Sequence, residues 1–175
     1  METGLSQSRI LSERSILVQV RLPSSDVDER DPLGELRAGF VARSDHPLAR
    51  KRSVSMAQVL QYPLACIPLS AEVSRTLIEQ YGEGMHPERI VAISCEDINA
   101  LLTTVEHSQV IYLGIVEAAR EALRARRLRE LSVQPAIGIG ARYAYVTLVG
   151  RAEAPAMQSF RQLVHHRLQA AIAAP

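Results

Sequence analysis

Residues 64–113 read LACIPLSAEVSRTLIEQYGEGMHPERIVAISCEDINALLTTVEHSQVIYL, and the alternation inside this stretch decides the fold. Leu64 to Pro68 is a short continuous apolar run of strand length, closed by Pro68-Leu69-Ser70. Ser70 stands where an N-cap residue introduces a helix carrying Val73, Leu77 and Ile78, and Gly82 and Gly84 stop that helix. Ile90 to Ser94 reads as the next strand. Asp97 then caps a helix whose Ile98, Leu101, Leu102 and Val105 fall at i, i+3, i+4 and i+7, an amphipathic stripe. Val110 to Leu113 is a third strand of the buried type. Strands and helices alternating through short connections imply an α/β fold, a mostly parallel sheet covered by helices on both faces.

Working outward, Val116, Ala119 and Leu123 mark the inner face of a helix that ends in Arg124, Arg126, Arg127 and Arg129. Pro135 to Gly140 is an extended, glycine-containing segment. Tyr143 to Val149 is a strand, and a last helix with Pro155 in its first turn carries Met157, Phe160, Leu163, Val164 and Leu168 on one side. Upstream, Ser55 caps a short helix edged by Met56, Val59 and Leu60, and Leu36 to Ala42 reads as a strand. Ile16 to Val20 is a β-branched run. The polar, turn-rich stretch from Pro23 through Asp26, Asp28 and Asp31 to Pro32 reads as a linker.

At 175 residues the chain is long enough to bury a core, and with 47% hydrophobic and 22% charged residues it is neither a disordered chain nor a coiled coil. Twenty Lys and Arg against nineteen Asp and Glu leave a net charge of +1, so the chain as a whole lacks the positive field that gathers nucleic acid or anionic membrane. Met1 to Ser15 has no apolar signal-like core, and no stretch approaches the roughly 18 apolar residues of a membrane span. A cytoplasmic protein is expected. Cys66 and Cys95 lack metal-ligand spacing and read as reduced, buried thiols, so neither a metal nor a cofactor is expected.

No catalytic motif survives inspection. Gly138-Ile139-Gly140 lies between extended segments without the helix and third glycine that phosphate cradling needs. His165 and His166 are adjacent on a helix and point about 100° apart, which suits a solvated pair better than one metal. The arginines from 124 to 129 read as cations placed against a helix C-terminus. The positive candidate is Pro68-Leu69-Ser70-Ala71, a strand-to-helix corner of the kind where open α/β sheets bind ligands on backbone N–H groups and the helix dipole. An anionic or polar small molecule fits that chemistry, set against the plainer role of Ser70 as a cap. His107-Ser108, just before the third strand, is expected to bring a second polar group to the same cleft.

The order of these pieces resembles the effector-binding, or substrate-binding, domain of LysR-type bacterial transcriptional regulators. Gly34-Glu35-Leu36-Arg37-Ala38-Gly39-Phe40-Val41-Ala42-Arg43 followed by Ser44-Asp45-His46-Pro47-Leu48-Ala49 is similar to the family's strand entering the second subdomain and its "HPLA" turn. The segment from Asp97 through Val105-Glu106-His107-Ser108-Gln109-Val110-Ile111 to Leu113, and the closing strand and helix, extend the likeness over about Leu33 to Ala171. It rests on order and spacing more than on any single motif.

The resemblance implies a periplasmic-binding-protein-like (type 2) fold of two α/β subdomains joined by two crossover strands, with an effector bound between them. On that reading residues 1–33 are a remnant of the first subdomain and a linker, 34–134 the second, effector-binding subdomain, and 135–175 a return strand and C-terminal helix of the first subdomain, which is incomplete. Residue by residue, Ser70 and its neighbours match the effector-contacting loop, and His107-Ser108 the turn facing the cleft. Self-association as a dimer or tetramer is implied, with DNA held only through a helix-turn-helix not found in this chain. Two other readings stay open: a stand-alone solute-binding module without a DNA role, and a small α/β enzyme using His107 and Ser108.

Overall fold

The computed structural model describes residues 16–18, 27–148 and 155–172. The expectations for Met1–Ser15, for Gln19 and Val20, for Pro23–Asp26 and for Val149 lie outside them. The chain divides into two compact units, residues 1–34 with 142–175, and residues 35–141. In the first, strand β1 (Ile16–Val18) pairs antiparallel with the far part of the ninth strand, Ile16 opposite Val146 and Val18 opposite Ala144.

The second unit is entered by β2 (Val27–Arg43), which is much longer than the strand read from the sequence. Asp28, Asp31 and Pro32 lie within this strand, which corrects the expectation that the stretch is made of turns. Gly34, at φ 134°, gives β2 a backbone conformation that a Cβ would strain. After the 3-10 turn Pro47–Arg50 come β3 (Val54–Ser55), α1 (Met56–Val59), β4 (Leu64–Cys66) and α2 (Ala71–Tyr81). Then follow the short α3 (Pro87–Ile90), β5 (Val91–Ser94), α4 (Ile98–Glu106) and β6 (Ile111–Ile115). The helix expected next is split into a 3-10 turn, Val116–Ala119, and a five-residue α5 (Arg120–Arg124), so Ala122 is buried and Leu123 only half-buried. Strands β7 (Leu128–Glu130) and β8 (Val133–Gln134) precede β9 (Gly140–Leu148), which runs out into the first unit, where α6 (Pro155–Ile172) ends the described chain.

The caps form as the sequence predicts, because each needs only local chemistry. Ser55 Oγ accepts from the Gln58 N–H while Gln58 Oε1 accepts from the Ser55 N–H, a reciprocal box that starts α1. Ser70 Oγ accepts from the Val73 N–H at 3.4 Å and starts α2, and Gly82, at φ 95°, ends it.

The sheet is mixed, not mostly parallel. β5, β4 and β6 run parallel, with Ala65 beside Ile93 and Tyr112, but β2 lies antiparallel to β6 and to β7. Strand alternation sends Phe40, Ala42, Leu64, Cys66, Ile111 and Leu113 to one face and Val41, Ala65 and Tyr112 to the other. Leu48, Val59, Leu77 of α2 and Met85 cover the first face; Leu101, Leu102 and Val105 of α4, with Val116, Ala119 and Ala122, cover the second. Both faces are therefore dry, which is why the strands read as unbroken apolar runs. Tyr112, 1% exposed, lies over Gly114, where a Cβ would collide with its ring and hydroxyl. On α6 the apolar stripe is less buried than expected: Phe160 and Leu163 are 43% and 54% exposed.

Candidate functional site

In the second unit the C-terminal ends of the parallel strands carry the Ser70 corner. β4 ends at Cys66, and the chain turns through Pro68, exposed, and Leu69, half-buried against the core, into α2. Ser70 is exposed; its carbonyl accepts from the Ser74 N–H at 2.9 Å and the Ser74 hydroxyl at 3.0 Å. Ala71 opens the helix on the same exposed side. The first turn of α2 carries the positive end of its dipole, with Ser70 adding an oxygen beside it.

His107 and Ser108 do not join this corner. They close α4 and precede β6, whereas Ser70 follows β4; because Leu64 of β4 lies beside Ile111 of parallel β6, a turn before β6 sits at the opposite edge of the sheet from a turn after β4. The two side chains are spent locally. His107 Nδ1 lies 2.8 Å from the Thr103 carbonyl, and Ser108 Oγ donates to the Thr104 carbonyl at 2.6 Å and accepts from the Val110 N–H at 3.2 Å. The expectation of one cleft shared by Ser70 and His107-Ser108 is thus corrected by topology, and the sequence held the signal: in parallel βαβ units successive turns alternate between edges.

The same edge as His107 carries the buried His46, 0% exposed, whose Nδ1 accepts from the Leu48 N–H at 3.1 Å and whose ring meets Tyr62 edge-on at 4.4 Å. Burial holds this imidazole below its ordinary value; the Gln109 carbonyl and Asp45 oppose that shift and Arg43 adds to it. His46 is a neutral structural group that fixes the turn after β2. Two open hollows, of about 450 and 480 Å³, lie on this edge too, one lined by Ser44, Arg126 and Arg129, the other by Tyr62, Gly84 and Arg89. Neither touches residues 68–71.

Cys66 ends β4 and Cys95 directly follows the neighbouring β5, with the Cys95 N–H donating to the Cys66 carbonyl, but their side chains serve opposite faces of the sheet. Burial pushes the Cys66 thiol up to about 11, so it is protonated and unreactive. Arg127 spends its guanidinium on Glu106, 3.1 Å to each carboxylate oxygen, while Arg124, Arg126 and Arg129 are exposed. His165 and His166 are both exposed on α6.

Sequence reasoning missed the polar contacts that organise the strands leading out of the unit. Arg37 and Glu130 form a two-toothed ion pair, the second contact at 2.6 Å, lying over Gly39, where a Cβ would meet Val116 at 2.6 Å. Gly140 is small because the Glu35 side chain occupies the space of its absent Cβ. Gln80 and Tyr81, at the end of α2, hydrogen-bond to residues 135–138 across more than fifty positions of sequence, a pairing no local pattern signals. Among the described residues no helix is long and apolar enough to cross a membrane, and no three His, Cys, Asp or Glu side chains gather as a metal site.

Comparison with known proteins supplies the family. The family model described as LysR substrate binding domain matches residues 16–169. An SDS degradation transcriptional activation protein of Pseudomonas sp. (strain ATCC 19151) is 31% identical over 140 residues, covering 78% of this chain and 44% of the relative, so the chain spans less than half the relative's length. Among solved structures, HinK, a LysR family transcriptional regulator from Pseudomonas aeruginosa, superposes with a TM-score of 0.65 at 14% identity over 87% of this chain and 51% of its own. The Synechocystis PCC6803 CcmR regulatory domain, solved in complex with 2-PG, gives 0.60 at 16% identity over 85% of this chain and 71% of its own.

Proposed function

The chain belongs to the LysR substrate-binding domain family and has its type 2 periplasmic-binding-protein-like α/β fold, and from that premise we propose that it is the ligand-sensing part of a transcriptional regulator. The effector is a small anionic or polar molecule held between two subdomains, with Pro68, Leu69, Ser70 and Ala71 forming the second subdomain's contact. The division into residues 1–33, 34–134 and 135–175 is part of this proposal, as are a cytoplasmic location, self-association as a dimer or tetramer, and DNA binding through a separate helix-turn-helix. Nothing catalytic is required. A ligand that favours one arrangement of the subdomains shifts the population toward it and so changes what the attached DNA-binding heads can reach.

The observation that carries this reading is the family match together with the exposed helix-start corner on the C-terminal edge of the parallel strands, where open α/β sheets receive ligands. Calorimetric titration of the full chain with benzoate and with hexyl sulfate tests it. Hexyl sulfate is included because the Pseudomonas relative is a regulator of SDS degradation. Ser70→Ala is expected to weaken the binding probe about tenfold, the worth of one hydrogen bond to a charged group. Unchanged affinity in that variant would remove Ser70 from the site.

A further inference from the structure

The extended segment between β8 and β9 is fastened to α2. Gln80 Nε2 donates to the Ala136 carbonyl, and Gln80 Oε1 accepts from the Gly138 N–H at 3.2 Å, so both ends of one amide are used on one stretch of backbone. The next residue adds a third contact, the Tyr81 hydroxyl donating to the Pro135 carbonyl at 2.7 Å. Residues 135–139 belong to no strand, and their backbone groups need partners from elsewhere. Ile139 finds one when its carbonyl accepts from the Ala38 N–H of β2 at 2.9 Å; Ala136 and Gly138 find theirs in Gln80. Ile137, Ile139 and Tyr81 are half-buried against the same side of the core as Leu77, which holds the segment and the helix end in register. Directly after this segment β9 carries the chain out of the second unit.

We propose that Gln80 and Tyr81 are a latch that makes the return segment move with α2, so that the helix links the Ser70 corner at one end to the exit of β9 at the other. The eleven residues of α2 span about 16 Å, and a helix of that length shifts as a rigid piece. Gln80 is a positioning residue: it touches no ligand, and its role needs a donor and an acceptor on one side chain, which Leu lacks entirely and Glu supplies only in part. The significance for sensing rests on the reading of Ser70 as an effector contact; the latch itself does not.

Amide hydrogen exchange followed by NMR on the full chain, without ligand, tests it. With the latch closed, the Gly138 amide opens only when α2 lets go, so its exchange follows the stability of the helix. Gln80→Leu is expected to speed Gly138 exchange at least tenfold, and Gln80→Glu by less, while the Ile111 amide, bonded to the Pro63 carbonyl, reports an intact core. Ser70→Ala, which weakens the start of α2, should speed Gly138 about fivefold in the otherwise native chain and have no further effect in Gln80→Leu. Tyr81→Phe removes one hydroxyl and serves as the milder variant, with faster exchange expected at Ala136 and Gly138. Unaltered Gly138 exchange in Gln80→Leu and Tyr81→Phe, or equal acceleration by Ser70→Ala in both backgrounds, overturns the proposal. Because no ligand enters the experiment, a failed titration at Ser70 counts against the effector reading alone, and flat exchange at Gly138 against the latch alone.

Discussion

His46 is the residue whose burial has the clearest thermodynamic consequence. Its folded-state pKa is lowered, chiefly by desolvation, so the neutral ring is the native form and Nδ1 is free to accept from Leu48. As pH falls below the unfolded value of about 6.5, the unfolded chain binds a proton that the folded chain resists, and stability is lost from there downward; above it the full contribution is present. Urea unfolding between pH 8 and 5.5 should show that decline, and His46→Leu should flatten it while lowering stability at pH 8. An equally steep decline in His46→Leu would assign the effect elsewhere. At this scale the sequence was informative where a side chain acts on its own neighbours, as Ser70 does on Val73, and uninformative where it reaches far, as Gln80 does to Gly138.

Elements were legible for the same reason. Asp97 sits beside the turn it caps, Oδ1 accepting from the Asn99 and Ala100 N–H groups at 2.9 and 3.1 Å, and the i, i+3, i+4 stripe that follows is the buried face of α4. Asp97→Ala is expected to cost about 1 kcal/mol and lower Tm by about 2–4 °C, with Asp97→Asn recovering most of it, as read by thermal denaturation. No change in either variant would mean that α4 is held by its packing alone. The length of β2 was not legible, because Asp28, Asp31 and Pro32 are turn formers by local propensity, and strand preference depends on context more than on the residue itself. Nor was the mixed sheet: apolar runs reveal burial on both faces but not the direction of the neighbouring strand. The split of the helix after β6 into a 3-10 turn and α5 turned on one residue of phase, which buries Ala122 in place of Leu123.

For the whole chain, the consequential feature is that β2 and β9 each run from one unit into the other, so two covalent connections join them. A ligand that binds only the native state stabilises whatever must unfold to release it, by about 2.7 kcal/mol at a hundredfold excess over Kd. If the effector is held between two subdomains, as we propose, both units lose it on opening and both gain protection. If it is held by the Ser70 corner alone, only the second unit gains. Exchange at the Ile111 amide on β6 and the Val164 amide on α6, measured with and without whichever of benzoate or hexyl sulfate binds in calorimetry, separates the two. Slowing of both by a similar factor is the expected result, accompanied by a rise in Tm of about 5–10 °C. Slowing at Ile111 with none at Val164 would confine the site to residues 35–141 and sink the two-subdomain account of sensing, while leaving the Ser70 corner as a binding site in its own right.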